Sequence, residues 1–241
     1  MNTPSRPRAT KIICTIGPAT DTSDMLGQLI EAGANVFRLN MSHSKHDWVR
    51  EVVFRIRRKA AELEANVAIL FDLQGPSIRT GDLAEPYHLK KGDTVEIRLG
   101  TAKPELPFST TVNYDGLLQD VQAGHTMVVD NGGILMRIAE VRPDRLICDV
   151  LTEGVFGSRR HINLPGVALR LPALTEKDLA DLAVAVECET DYVAMSFVRD
   201  AAHIAQLREH IDNLGGKAQI VAKIEDQQAV RHIDDIILAA D

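Results

Sequence analysis

A chain of 241 residues is long enough for one large domain or two ordinary ones, with an ample core. The apolar content of 45% is that of a soluble globular protein, and the formal net charge of -7 argues against a nucleic-acid binder, which needs a basic face. Cys14, Cys148 and Cys188 are widely separated and odd in number, so they read as buried free thiols in a reducing compartment, with no disulfide framework. The polar N-terminal stretch 1–10 lacks the apolar core of a signal peptide, and no run is long enough to span a bilayer. The expectation is a cytoplasmic protein with neither a membrane nor a nucleic-acid partner.

In chain order, Lys11-Ile12-Ile13-Cys14-Thr15-Ile16 is a near-continuous apolar run, expected as a strand buried on both faces and stopped by Gly17-Pro18. Thr22 or Ser23 caps a helix with Met25, Leu26, Leu29 and Ile30 on one face, ended by Gly33. Val36-Phe37-Arg38-Leu39-Asn40-Met41-Ser42-His43 is a second strand that runs into polar groups. Val49, Val52, Val53, Ile56, Ala60 and Leu63 mark a second helix, and Val67 to Asp72 a third strand. This is the strand–helix alternation of parallel α/β architecture.

Between Gly81 and Pro165 the texture changes to period two with frequent turns. Met127-Val128-Val129-Asp130 and Ile134-Leu135-Met136-Arg137-Ile138 flank Asn131-Gly132-Gly133 as a hairpin, and no long amphipathic helix appears. The expected organisation is a first barrel part over 1–80, an inserted small all-β barrel over 81–165 and a second α/β part over 166–241. The second part opens with Thr175-Glu176-Lys177-Asp178 as a capped helix start whose face is Leu179, Leu182, Ala183 and Val186. Tyr192–Phe197 and Gln219–Glu225 are strands. Ile204, Leu207, Ile211 and Leu214 lie on the helix between them, and Val230, Ile233, Ile236 and Ile237 face one last helix.

Polar groups recur at the C-terminal ends of four strands: Asn40 and Ser42, Asp72, Ser196, and Lys223 with Glu225. That end is the active-site face of a (β/α)8 barrel, the preferred reading, and also the ligand side of a flat doubly wound sheet. Arg38 fits either an ion pair or a phosphate or carboxylate site. Lys223 and Glu225 point to one side of their strand, as an ion pair or as a charge stabiliser beside a ligand of a divalent cation. Asp72 is a loop cap or a cation ligand. Arg79 and Arg160 stand at the two junctions, each open to a salt bridge or a nucleotide phosphate.

These stretches resemble pyruvate kinase from Lys11 to Asp241. The resemblance rests on KIICTIGPAT at 11–20, VFRLNMSH at 36–43, FDLQGPSIRTG at 71–81, INLPG at 162–166, LPALTEKD at 171–178, MSFVR at 195–199 and VAKIED at 221–226. It implies a (β/α)8 barrel, here partial with about five βα units, and a β lid inserted after the third strand. It implies phosphoryl transfer from phosphoenolpyruvate to ADP, giving pyruvate and ATP, in a homo-oligomer using Mg2+ (or Mn2+) and usually K+. Arg38 and Lys223 are carried over as catalytic, and with Ser196 as substrate-binding. Glu225 is one Mg2+ ligand. Asn40, Ser42, Asp72 and the carbonyl of Leu73 hold the monovalent cation, and Asn40, His43, Arg79 and Arg160 lie near the nucleotide. Leu73-Gln74 stands where the family commonly has Thr-Lys, which leaves the K+ requirement open, and Arg160 replaces a family lysine. The next family motif, an Ala-Arg-Gly-Asp-Leu-Gly run with a second metal carboxylate, does not occur. The expectation is therefore a fragment or shortened form, inactive by itself. A catalytically inactive phosphoenolpyruvate- or nucleotide-binding protein is the alternative.

Overall fold

A computed structural model describes residues 9–241. The sequence reading of 1–10 as free of a signal peptide falls almost wholly outside the described residues.

The elements run β1 (Ile13–Ile16), α1 (Ser23–Ala32), β2 (Val36–Asn40), α2 (His46–Glu62) and β3 (Ala68–Asp72). There follow β4 (Tyr87–Leu89), β5 (Thr94–Arg98), β6 (Ser109–Thr111), the short helix α3 (Leu117–Asp120), β7 (Thr126–Val129), β8 (Ile134–Val141), β9 (Arg145–Val150), β10 (Gly154–Phe156) and β11 (Ile162–Asn163). The chain continues through α4 (Glu176–Glu187), β12 (Tyr192–Met195), α5 (Ala201–Asn213), β13 (Gln219–Ala222), α6 (Gln227–Arg231) and α7 (Ile233–Ala239). Two compact units result: one up to Gly75 and again from Ala173, the other from Pro76 to Pro172.

The first unit is an open parallel sheet in the order β1-β2-β3-β12-β13, so β12 takes its place beside β3 although more than a hundred residues intervene. Helices alternate with these strands, and their apolar stripes bury Leu26, Val52, Ile56, Leu182 and Leu207 with Phe37, Phe71, Val193 and Ile220 of the sheet in one core. The caps are those the sequence announces. Thr22 Oγ1 accepts the Met25 N–H at 3.3 Å, and Gly33 ends α1 at φ 97°, a left-handed conformation that favours glycine.

Three expectations need correction. The first strand is not buried on both faces: Ile12 and Ile13 are 39% and 57% exposed, because among the described residues β1 is a sheet edge bonded only to β2. The buried face of α4 is Asp178, Asp181, Leu182, Val184 and Ala185, while Leu179 and Ala183 face outward. Two carboxylates take the inward positions because each finds partners there. The last helix is two helices that meet at His232, with Ala229 and Ile236 buried and Val230 and Ile237 exposed.

A polar residue just before a strand pins its neighbour at two places, ahead of β2 and of β12, and Asp241 after α7 makes the same kind of bond. Asn35 Oδ1 accepts the Ile12 N–H at 2.9 Å, Asp191 Oδ2 that of Ile69 at 2.7 Å, and Asp241 Oδ2 that of Ile220 at 2.7 Å. The two aspartates are each also gripped by an arginine from the helix that leads into the pinned strand, Arg57 of α2 for Asp191 and Arg208 of α5 for Asp241. Replacing Asp191 with Ala removes the acceptor of an amide and of a guanidinium together. The expected loss of unfolding free energy in urea titration is about 2 kcal/mol, and a loss under about 0.5 kcal/mol would count against the pin.

The second unit pairs β11-β7-β8-β9-β5-β6 in one sheet and β10-β4 in another. The pairs are antiparallel apart from β5 with β6. The expected hairpin is present, with Val129 opposite Ile134 and Asp130, Asn131 and Gly132 all at positive φ in its loop. Val95, Ile97, Met127, Met136, Ile138, Leu146 and Phe156 fill a separate core. Cys148 lies in that core, where burial above all, with Asp149 nearby, pushes its thiol up to about 12 and leaves it inert. Cys14 and Cys188 are only partly buried, contrary to the expectation for all three.

Candidate functional site

The C-terminal ends of β2, β3, β12 and β13 bring five side chains of the first unit together. Arg38 projects from β2, where its register partners are Thr15 on β1 and Leu70 on β3. Its Nη1 donates to Thr15 Oγ1 at 2.7 Å, its Nε to Asp72 Oδ2 at 2.8 Å, and its Nη2 lies 2.5 Å from the same oxygen. Asp72 is 3% exposed, and its other oxygen accepts from Lys223 Nζ at 3.1 Å. Lys223 donates also to Ser196 Oγ at 2.8 Å, and the Ser196 hydroxyl in turn donates to the Leu73 carbonyl at 2.6 Å. Glu225 Oε1 is 3.4 Å from the same ammonium, and Oε2 accepts the Phe197 N–H at 2.8 Å. Phe197 holds φ at 55°, rare outside glycine, and it is this residue's amide that meets the carboxylate.

One buried carboxylate thus holds two cations that remain about a third exposed. Among the described residues three of the five guanidinium N–H donors of Arg38 are engaged, which leaves two for an incoming anion. The bland reading of Arg38 as an ion pair is realised through Asp72. Asp72 itself is neither a loop cap nor free, since both its oxygens are held by cations.

The residues that follow β2 form a tight turn. Asn40 Oδ1 accepts the Ser42 N–H at 3.1 Å, and Ser44 Oγ donates to the Asn40 carbonyl at 2.8 Å. Asn40 is the register partner of Asp72, while His43 is exposed. Asn40 Oδ1, Ser42 Oγ, Asp72 and the Leu73 carbonyl are all oxygen donors, the chemistry a hard monovalent cation takes. Glu225 could hold Mg2+ with substrate oxygens completing the shell, the arrangement that ion prefers over an all-protein cage. Among the described residues no three His, Cys, Asp or Glu side chains converge on a metal-sized site.

The family model for pyruvate kinase, barrel domain, matches residues 7–241. The chain belongs to the pyruvate kinase family. Plastidial pyruvate kinase 2 of Arabidopsis thaliana is 37% identical over 241 residues, which are 99% of this chain and 41% of that protein. Pyruvate kinase isozyme G, chloroplastic, of Nicotiana tabacum is 36% identical over 98% of this chain and 42% of its own length. A pyruvate kinase of Staphylococcus aureus is 35% identical over 97% and 40%. The chain therefore spans about two fifths of the length of these curated relatives. The α/β expectation agrees with a pyruvate kinase barrel domain and with the open five-strand sheet.

Two of the residues read as nucleotide-binding lie in the second unit. Arg79 donates from Nη1 to the Arg159 carbonyl at 3.1 Å, and its backbone amide to Asn113 Oδ1 at 2.7 Å. Arg160 lies over Gly157, where an added Cβ would come within 2.8 Å of Nη2, and its Nη1 is 3.3 Å from Asp130. Its Nε is buried and has no hydrogen-bond partner among the described residues. Two residues that touch this charged cluster, and one that holds Gly75 beside it, escaped the sequence reading. Thr15 had a signal in its place at the end of a strand. Nothing in the sequence marks the Phe197 amide, and Asp178 was read only as part of a cap. No helix among the described residues is long and apolar enough to cross a membrane.

Proposed function

We propose that this chain carries the phosphoenolpyruvate side of a pyruvate kinase, transferring the phosphoryl group of phosphoenolpyruvate to ADP to give pyruvate and ATP. The observation that carries the reading is the meeting of Arg38 and Lys223 on Asp72, with Glu225 beside Lys223. The free donors of Arg38 grip the phosphoryl oxygens, and a planar guanidinium suits such groups bidentately. The bond from phosphorus to the enol oxygen breaks as one forms to a terminal phosphate oxygen of ADP. The Lys223 ammonium faces the charge that develops on the phosphoryl group and on the departing enolate, which then takes a proton to become pyruvate. Asp72 and Ser196 keep that ammonium in place.

A Mg2+ (or Mn2+) ion held by Glu225 would supply further charge neutralisation. A K+ ion is assigned to the oxygens of Asn40, Ser42, Asp72 and Leu73, and the nucleotide to Asn40, His43, Arg79 and Arg160. The second unit is assigned the part of a small β-barrel lid inserted after the third barrel strand. The setting is cytoplasmic and the assembly a homo-oligomer.

The test is calorimetric titration with phosphoenolpyruvate, with and without Mg2+, beside an assay coupled to pyruvate reduction. Mg2+-dependent binding is expected. Turnover by these 241 residues alone is not expected, because among the described residues Glu225 is the single carboxylate assigned to Mg2+. Absence of binding at millimolar phosphoenolpyruvate would overturn the reading, and binding without turnover is its predicted result.

A further inference from the structure

The carboxylate of Asp178 is fully buried and holds two points of the chain that are a hundred residues apart. Its Oδ2 accepts the Thr175 N–H at 2.9 Å and the Thr175 hydroxyl at 2.6 Å, completing the capping box of α4. A capping box needs nothing more. Yet Oδ1 accepts the Gly75 N–H at 3.0 Å. Gly75 is the last residue of the first unit before Pro76, and Thr175 lies just inside its resumption at Ala173. One carboxylate thus ties the exit of the chain to its return.

Gly75 stands at φ 68° and is packed so closely that an added Cβ would lie 2.9 Å from Ser196 Cβ, 3.0 Å from the Phe197 ring and 3.1 Å from the Ser196 carbonyl. Those two residues are the partners of the site's other charges. Ser196 Oγ receives the Lys223 ammonium, and the Phe197 amide donates to Glu225. The backbone that Asp178 holds is therefore the wall against which both partners rest.

We propose that Asp178 is a positioning residue for the charged cluster: through Gly75 it sets Ser196 and Phe197, and through them Lys223 and Glu225. For phosphoenolpyruvate affinity the inference rests on the functional reading above, but its structural part does not. Asp178→Asn keeps the shape and loses an acceptor. If the amide oxygen serves Thr175, the NH2 group faces the Gly75 N–H, donor against donor.

The experiment compares Asp178→Asn with Thr175→Val, which removes the hydroxyl of the cap and leaves the Gly75 bond, in the whole chain. In Asp178→Asn, exchange of the Gly75 amide is expected to speed by about tenfold or more. The Lys223 side-chain and Phe197 amide resonances should shift, and phosphoenolpyruvate affinity should fall about tenfold, the worth of one charge-assisted hydrogen bond. Thr175→Val should lower the melting temperature while those resonances stay and affinity holds within about twofold. A folded Asp178→Asn with unmoved Gly75, Phe197 and Lys223 signals overturns the proposal, as does Thr175→Val that moves them equally. Should Asp178→Asn not fold, Gly75→Ala presses on Ser196 from the same side, and unmoved Lys223 and Phe197 signals in that folded variant would equally overturn it. Shifted resonances in a chain whose wild type binds no phosphoenolpyruvate would leave the positioning role standing and remove the functional reading instead.

Discussion

Replacing Arg38 with Ala should weaken phosphoenolpyruvate binding by about 2 kcal/mol or more, roughly thirtyfold, in the calorimetric titration. The guanidinium is the one group in the cluster that combines a fixed fork with unused donors, because Thr15 and Asp72 take three of its five N–H groups and hold the rest still. A ligand phosphate then meets donors whose rotamer is already set, and little ordering cost is left to subtract from the interaction. Arg38→Lys tests the geometry separately from the charge. An ammonium restores attraction without bidentate fit, so its affinity should fall between wild type and Arg38→Ala. Arg38→Ala also leaves Asp72 with Lys223 alone. Lys223 should then be drawn further onto that carboxylate, and Mg2+ should rescue binding poorly. Circular dichroism must show the variant folded. Affinity unchanged in a folded Arg38→Ala would remove Arg38 from the phosphate and, with it, the main support for the reading.

The sheet was legible because its signals are local. Apolar runs of strand length, Gly-Pro stops and helical spacing each lie within a few residues, and together they place β1, β2, β3, β12 and β13 in order. What is not local was misread. The run Lys11–Ile16 has the composition of a doubly buried strand, but whether a strand has one neighbour or two is a property of the assembled sheet. On α4 an apolar periodicity count ranks Leu179 above Asp181. Asp181 is nonetheless the buried one, with its carboxylate taken by His46 at 2.7 Å and Lys177 at 2.6 Å. In the site, polar residues at strand ends announced convergence, and Arg38, Asp72, Ser196, Lys223 and Glu225 do converge. Who meets whom followed from register, and so the Arg38–Asp72–Lys223 chain and the reach of Asp178 to Gly75 were not visible in the sequence.

Arg145→Ala should destabilise the second unit by about 3–5 kcal/mol, a large part of the stability of a domain that size. Arg145 is 4% exposed, and its Nη1 lies 2.8 Å from Glu96 Oε2, on a carboxylate with no exposure at all. Its other nitrogens engage Asp144 at 2.9 Å and Glu105 at 3.1 Å. Removing the arginine strands the Glu96 charge in the core with the Glu105 and Leu106 amides, and the next cation, Arg98, stands 4.0 Å away. Changing both partners, as Glu96→Gln with Arg145→Met, should recover most of the loss, since the cost lies in the unpaired charge rather than in the missing pair. The pH dependence has a definite sign. Burial pushes the Glu96 carboxyl upward, but Ser109, the two amides and Arg145 outweigh it and hold it below the usual 4.5. A carboxyl lowered on folding stabilises fully above its unfolded value, and that stabilisation is lost as pH falls through the folded value. The gap between wild type and Arg145→Ala should therefore be widest near pH 7 and narrow as pH falls through the lowered value of Glu96. Urea dependence of hydrogen exchange at the Ile97 and Cys148 amides, which lie on β5 and β9, reads this unit separately from the other. A gap of equal size at both ends of that pH range would mean that Arg145 acts through packing and not through the charge of Glu96.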